Sequence, residues 1–290
     1  MNRKAFLKTA GLTALSLPLM KLNSLNNLTN EFSSTPQMPA LFLAHGHPIN
    51  AILDNSFTKK LGEISKDIEK PNAIMVISAH WETKGTYVSV NPFPNTIYDF
   101  GGFDERLFDI KYEPKGHPKM AKEIINLHHI IKEDHKMGLD HGAWTVLKFL
   151  YPKADIPVFQ LSIDYSQSPE YHFELAKQLK SIRKKGVLIV GSGNIVHNLN
   201  RLDWSNQNVK PHDWVLEFDL KVKQKLEKLQ FNDLVQYQTM GKSALLSIPT
   251  NEHYLPMLYI LGLLEKGEKV THLYEAYEFG SLSMRSFKIS

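Results

Sequence analysis

The run Ala73-Ile74-Met75-Val76-Ile77-Ser78-Ala79-His80-Trp81 decides the fold class. Its apolar residues do not alternate with polar ones, so a strand here has both faces buried, as in the interior of a parallel sheet. The strand then runs into a histidine. The stretch Ala40-Leu41-Phe42-Leu43-Ala44-His45-Gly46-His47-Pro48 repeats both features. Further apolar runs at 87–90, 156–163, 187–190 and 244–248 also read as strands. Between them lie helical patterns at 54–69, 118–133, 169–183 and 213–229. The first has a cap-like Asp54, and the next two carry Pro118 and Pro169 in their first turns. Strands alternating with helices predict an α/β fold of three layers, a largely parallel central sheet flanked by helices. Residues 271–290, with Gly280 in the middle, read as a C-terminal antiparallel hairpin.

The chain has 290 residues, 42% of them hydrophobic, enough for a sizeable core. It contains no cysteine, which removes disulfides, thiolate metal sites and a cysteine nucleophile together. No apolar stretch is long enough for a membrane-spanning helix. The net charge is +4, and residues 1–36 hold Arg3, Lys4, Lys8 and Lys21 against Glu31 alone. The body is thus close to neutral, with no basic stripe for nucleic acid. Residues 1–37 read as a leader and linker, and 38–290 as one catalytic domain. The start resembles a twin-arginine export signal, with Arg3-Lys4 where Arg-Arg is usual. A working signal makes the protein periplasmic; otherwise it is cytoplasmic, and 1–37 is an ordinary frayed terminus. The number of subunits is left open.

Four of 13 histidines share a context. His45 and His80 end apolar runs, His197 follows 187–190 through Gly191-Ser192-Gly193-Asn194, and His253 follows 244–248. Ligands of open α/β sheets bind beyond the carboxyl ends of the strands, so four imidazoles at four such ends are expected to converge. Neutral imidazole is the commonest protein metal ligand. Three of them leave positions open on Zn(II) for hydrolysis, and a related set on Fe(II) serves dioxygen chemistry. A fourth suits a general base. His141, in Asp140-His141-Gly142-Ala143-Trp144, is a fifth candidate at a loop–helix junction. Asp99, Asp104, Asp164 and Glu252 are the carboxylates that could join them; Glu252 reads equally as a helix start. His128, His129, His135, His172, His212 and His272 read as surface residues, and His117 as a helix start. The Gly191–Gly193 segment reads as a tight turn leaving the strand. It lacks the third glycine of a dinucleotide fingerprint and the lysine of a P-loop. Ser192 is not in a nucleophile elbow.

These segments resemble the class III extradiol ring-cleavage dioxygenases, most closely their 4,5-DOPA dioxygenase branch. The resemblance rests on His45-Gly46-His47-Pro48, Ser78-Ala79-His80-Trp81, Asp99-Phe100-Gly101-Gly102-Phe103, Leu139-Asp140-His141-Gly142-Ala143-Trp144, Gly191–Leu199 with His197, and Pro249–Pro256 with His253. It implies that His45, His80 and His253 hold a metal, Fe(II) for catalysis, with Zn(II) able to occupy the same site. It implies that His197 is the acid–base residue or a fourth ligand, and that His141 is a second catalytic residue, lining the substrate and dioxygen site and suited to stabilise the oxygen adduct or donate a proton. The substrates implied are a small-molecule catechol such as DOPA, opened by 4,5-cleavage, and O2. Relatives usually carry a small residue where this chain has His47, which makes His47 a candidate pocket residue. Two other readings of the same histidines stand beside this one: a zinc-dependent hydrolase, and a non-catalytic metal-binding protein on the same scaffold.

Overall fold

The computed structural model describes residues 37–290. The leader and linker expected over 1–37 lie, Gln37 apart, outside the described residues. The chain enters as β1 (Ala40–Ala44), passes a short 3-10 turn (Pro48–Ile52) and forms helix α1 (Ser56–Ile64). Asn55, not Asp54, caps α1. Its side chain accepts from the Thr58 amide while Thr58 Oγ1 accepts from the Asn55 amide, a reciprocal capping box. Then come β2 (Ala73–Ser78), β3 (Glu82–Thr83), β4 (Tyr87–Ser89), α2 (Pro118–Leu127), β5 (Lys132–Asp134) and α3 (His141–Leu150). After these follow β6 (Val158–Gln160), β7 (Ile163–Asp164), α4 (Pro169–Gln178), α5 (Lys180–Arg183) and β8 (Val187–Gly193). The last part comprises α6 (Asp213–Glu227), α7 (Phe231–Val235), α8 (Lys242–Ser247), α9 (Leu255–Gly262), β9 (Val270–Tyr274), β10 (Tyr277–Glu278), β11 (Leu282–Ser283) and β12 (Ser286–Ile289).

The central sheet has the order β6-β2-β8-β1-β12-β9. The first four strands are mutually parallel, and β12 and β9 complete the sheet as an antiparallel pair. Helices α1 and α3 cover one face: Leu61, Trp144 and Leu147 pack with Leu41, Leu43, Ile74, Val76, Leu188 and Val190. Helix α9 covers the other, against β8, β1 and β2, and α4 packs on α9. All eight residues of α9 are buried, as expected of a helix apolar on every side.

Five expectations are corrected. Residues 244–248 are not a strand, since α8 covers them up to Ser247. Ser243, Ala244 and Ser247 are buried while Leu245 and Leu246 are 54% and 39% exposed, a helical spacing rather than a continuous apolar run. The run 156–163 breaks into β6 and β7, and 87–90 supplies β4, which pairs with β5 outside the central sheet. The pattern 118–133 stops being helical at Leu127 and ends in β5. The stretch Gly191–Gly193 is not a turn but the end of β8. A Cβ on Gly191 would lie 2.6 Å from the Pro256 carbonyl oxygen, and one on Gly193 2.2 Å from that of His253. These glycines let the loop entering α9 press directly on the strand.

Candidate active site

Strands β1, β2 and β8 are adjacent and parallel, so their carboxyl ends open on one edge. His45 follows β1, His80 lies just beyond β2, and His197 lies past β8, its amide donating to the Ser247 carbonyl at 2.9 Å. His253 reaches the same edge by another route than the expected strand end. It sits in the loop between α8 and α9, and its carbonyl accepts from the Asn194 amide at 2.9 Å across the bare backbone of Gly193. His141 arrives as the first residue of α3, capped by Asp140. A Cβ on Gly142 would lie 2.5 Å from Ser78 Oγ, so only glycine lets α3 meet the end of β2 this closely.

His45, His80 and His253 each bring a ring nitrogen to one point, all within 4.8 Å of one another. The outer nitrogens are held. Ser192 Oγ donates to the Gly142 carbonyl at 2.5 Å and so receives the proton of His45 Nδ1, 3.0 Å away. Glu252 Oε1 faces His253 Nδ1 at 2.9 Å. Both imidazoles therefore turn an Nε2 lone pair inward. His253 Nε2 is buried without a hydrogen-bond partner, and His45 Nε2 stands 3.2 Å from His80 Nε2. Two nitrogens bound to one metal at 2.0–2.1 Å lie roughly 3.0–3.4 Å apart, so the spacing and the inward lone pairs fit a divalent cation.

Electrostatics agree. Burial, reinforced by the neighbouring imidazoles, holds His45 and His253 well below the usual histidine range. Burial and His141 press His80 down to about 3, against the opposing charge of Asp99. Burial, then His141, lowers His197 to about 4. All stay neutral near pH 7, the state in which imidazole binds metal. His197 stacks flat on His253, ring centroids 3.4 Å apart, and the His141 ring centre is 3.8 Å from that of His80.

A cavity of about 230 Å³ opens over the cluster. Five histidines, His45, His80, His141, His197 and His253, form one end of its lining, while Phe100, Phe103, Trp204, Leu199 and Leu282 make the rest largely apolar. His47 joins that wall rather than the metal-type cluster. Its Nδ1 accepts from the Ile49 amide, and its ring packs against Phe103, Trp204 and Phe279. A larger open groove, about 820 Å³, lies by α1 and contains no histidine.

Of the candidate carboxylates, Asp99 and Glu252 reach the site and two do not. Asp104 is clamped to Arg106 at the surface, and Asp164 caps its own turn through Ser166. Glu252 does not start α9, which begins at Leu255. His172, expected at the surface, is buried and hydrogen-bonded to Tyr259. Ser192, Trp204 and Leu282 carry no local signal of a role; the sheet and its loops bring Trp204 and Leu282 to the cavity wall and Ser192 behind His45. His117 caps α2 as expected.

Comparison with known proteins agrees with this picture. Residues 33–286 match the family described as the catalytic LigB subunit of aromatic ring-opening dioxygenase. The chain is 42% identical over 262 residues to the 4,5-DOPA dioxygenase extradiol of Escherichia coli K12, covering 88% of this chain and 96% of that protein. It is 35% identical to the Beta vulgaris protein of the same name, covering 86% and 95%. The crystal structure of the uncharacterized protein JW3007 from Escherichia coli K12 superposes with a TM-score of 0.76 at 39% identity, covering 87% of this chain and all of that one. With three parallel strand ends delivering histidines to one cavity and the match spanning nearly all described residues, the chain belongs to the LigB family of aromatic ring-opening dioxygenases.

Proposed function

We propose that this enzyme is a metal-dependent extradiol dioxygenase that opens the ring of a catechol, with residues 38–290 as its catalytic domain. The observation that carries the reading is the convergence of three inward Nε2 atoms at the floor of an aromatic-walled cavity. His45, His80 and His253 would hold the ion, Fe(II) for catalysis, with Zn(II) able to fill the same ligands. When bound, Fe(II) supplies open positions for a chelating catechol and dioxygen together. The rest is done by the chain. Phe100 and Phe103 offer flat apolar surface to the aromatic ring and keep water out. His197, neutral and beside His253, accepts a proton from a catechol hydroxyl. His141 stands on the other side of His80, against the space left for substrate and dioxygen. His47 closes the wall that a substituent on the ring would meet.

The relatives named 4,5-DOPA dioxygenase extradiol make L-DOPA the first substrate to offer. The test is an oxygen electrode, with the full chain loaded anaerobically with Fe(II), or with Zn(II) as control, and given L-DOPA, protocatechuate and 4-methylcatechol. Fe(II)-dependent oxygen uptake with a yellow ring-fission product is expected. One tightly held metal and no uptake with any catechol would overturn the proposal in favour of a zinc hydrolase or a binding protein.

A further inference from the structure

Asp99 lies outside the three-histidine cluster yet touches two of its neighbours. Its Oδ1 accepts from the His141 backbone amide at 2.8 Å. Its Oδ2 lies 2.9 Å from His141 Nδ1 and 3.4 Å from His80 Nδ1. One carboxylate therefore faces the outer nitrogen of both rings and, through the amide, the start of α3. Asp99 sits in the loop between β4 and α2, so these contacts join three segments far apart in sequence.

The chemistry of those contacts is directional. A carboxylate oxygen is an acceptor and repels an imidazole lone pair, so each Nδ1 facing it carries the proton. The lone pair of each ring is then at Nε2. For His80 that is the atom 3.2 Å from His45 Nε2. His45 and His253 have their own outer partners, Ser192 and Glu252, whereas His80 and His141 share one.

We propose that Asp99 is the positioning residue of this site, fixing His80 and His141 as Nδ1–H tautomers so that one Nε2 is available to a metal and the other accepts a hydrogen bond from a bound substrate hydroxyl. This rests on reading the histidine cluster as the active site. It gives His141 the character of an acceptor toward the bound substrate, where the family resemblance implies a proton donor or a stabiliser of the oxygen adduct. The same three residues also have the composition of a small ligand set of their own. In this structure Oδ1 is held by the His141 amide, and Oδ2 lies within ion-pair distance of both Nδ1 atoms, nearer that of His141.

The decisive readout needs no turnover. Full-length metal-free protein, labelled with ¹⁵N in its histidines, reports the tautomer of each ring by NMR. The wild type is expected to show Nδ1–H at His80 and His141. In Asp99→Asn the amide oxygen can still accept from the His141 amide while the NH2 group faces the rings, and His141 is expected to turn to the Nε2–H form. Anaerobic titration with Zn(II) is expected to give one equivalent in both proteins, about 10- to 100-fold weaker in Asp99→Asn. Asp99→Glu, which restores an acceptor, is expected to recover the tautomer and part of the affinity. Wild-type His141 found as Nε2–H, or both tautomers unchanged in Asp99→Asn, would overturn the proposal. Two equivalents of Zn(II) in the wild type and one in the variant would overturn it too, making Asp99 a ligand. If Asp99→Asn does not fold, Asp99→Glu and the wild-type tautomers decide. Failure of the wild type to open any catechol would sink the functional reading while leaving the tautomer result in place.

Discussion

His197 and His253 lie face to face 3.4 Å apart, and they differ in what stands behind them. His253 has Glu252 at its outer nitrogen and an inward nitrogen buried without a partner, the arrangement of a ligand. His197 is placed mainly by its backbone, whose amide binds the Ser247 carbonyl. Removing its ring should leave the three-nitrogen set in place. His197→Ala is therefore expected to bind one metal within a few-fold of wild-type affinity and to lose about 10²- to 10⁴-fold in turnover. Metal titration beside steady-state oxygen uptake checks this, and a variant with full activity would remove His197 from the mechanism. At this scale the sequence was informative where chemistry is local. A histidine directly after an apolar strand, as at His45 and His80, is visible in the pattern. His172 looked like a surface residue because nothing in its neighbours announces Tyr259, which lies 87 residues away and holds its ring.

Among elements, the C-terminal hairpin depends on one buried ion pair. Asp219 of α6 accepts from Arg285 Nε at 3.0 Å and Nη2 at 2.5 Å, from Ser283 Oγ at 2.7 Å and from Tyr277 OH at 2.8 Å. Its carboxylate thus fastens β10, β11 and the start of β12 to one helix. Asp219→Ala would leave the Arg285 guanidinium buried with Glu275 as its remaining carboxylate partner. The loss is expected to be about 3–5 kcal/mol in urea unfolding. A loss under 1 kcal/mol would mean that the hairpin is held by its apolar packing alone. The hairpin and the parallel strands were both legible beforehand, because Gly280 and the unbroken apolar runs are strong local signals. The run 244–248 was misread because Ala-Leu-Leu-Ser-Ile offers an apolar string whose partners decide between strand and helix. Leu245 and Leu246 face outward, and only the packing of Ala244 and Ser247 reveals the period.

For the whole molecule, buried neutral histidines make stability depend on pH. Burial lowers His172 to about 4, with the charge of Asp164 opposing. Between that value and the unfolded value of 6.5, the unfolded chain binds a proton that the folded chain refuses. Its contribution is complete above about pH 6.5 and is lost as pH falls toward 4, a swing of about 3 kcal/mol. His47 and His197 shift in the same direction. Urea midpoints at pH 7 and pH 4.5 should differ less in His172→Gln than in the wild type. An identical difference in both would show that His172 does not carry the acid sensitivity. Among the described residues, no helix is long and apolar enough to cross a membrane.

The general alternation of strands and helices, the α/β class and the candidate histidines could be read from the chain, since each depends on neighbours within a few residues. Their convergence was expected from the strand ends, but the route by which His253 joins them was not. His253 reaches the metal-type cluster because Gly191 and Gly193 let the loop entering α9 lie on β8, a contact between segments about 60 residues apart. The roles of the outer partners were hidden in the same way, although Asp99 and Glu252 were among the four candidate carboxylates. Ser192 behind His45 is an ordinary polar residue until the sheet brings it there, and only the fold separates Asp99, behind His80 and His141, from Asp104 and Asp164. Local pattern sets where a side chain leaves the backbone, whereas the direction of a lone pair is set by whatever packing places behind the ring.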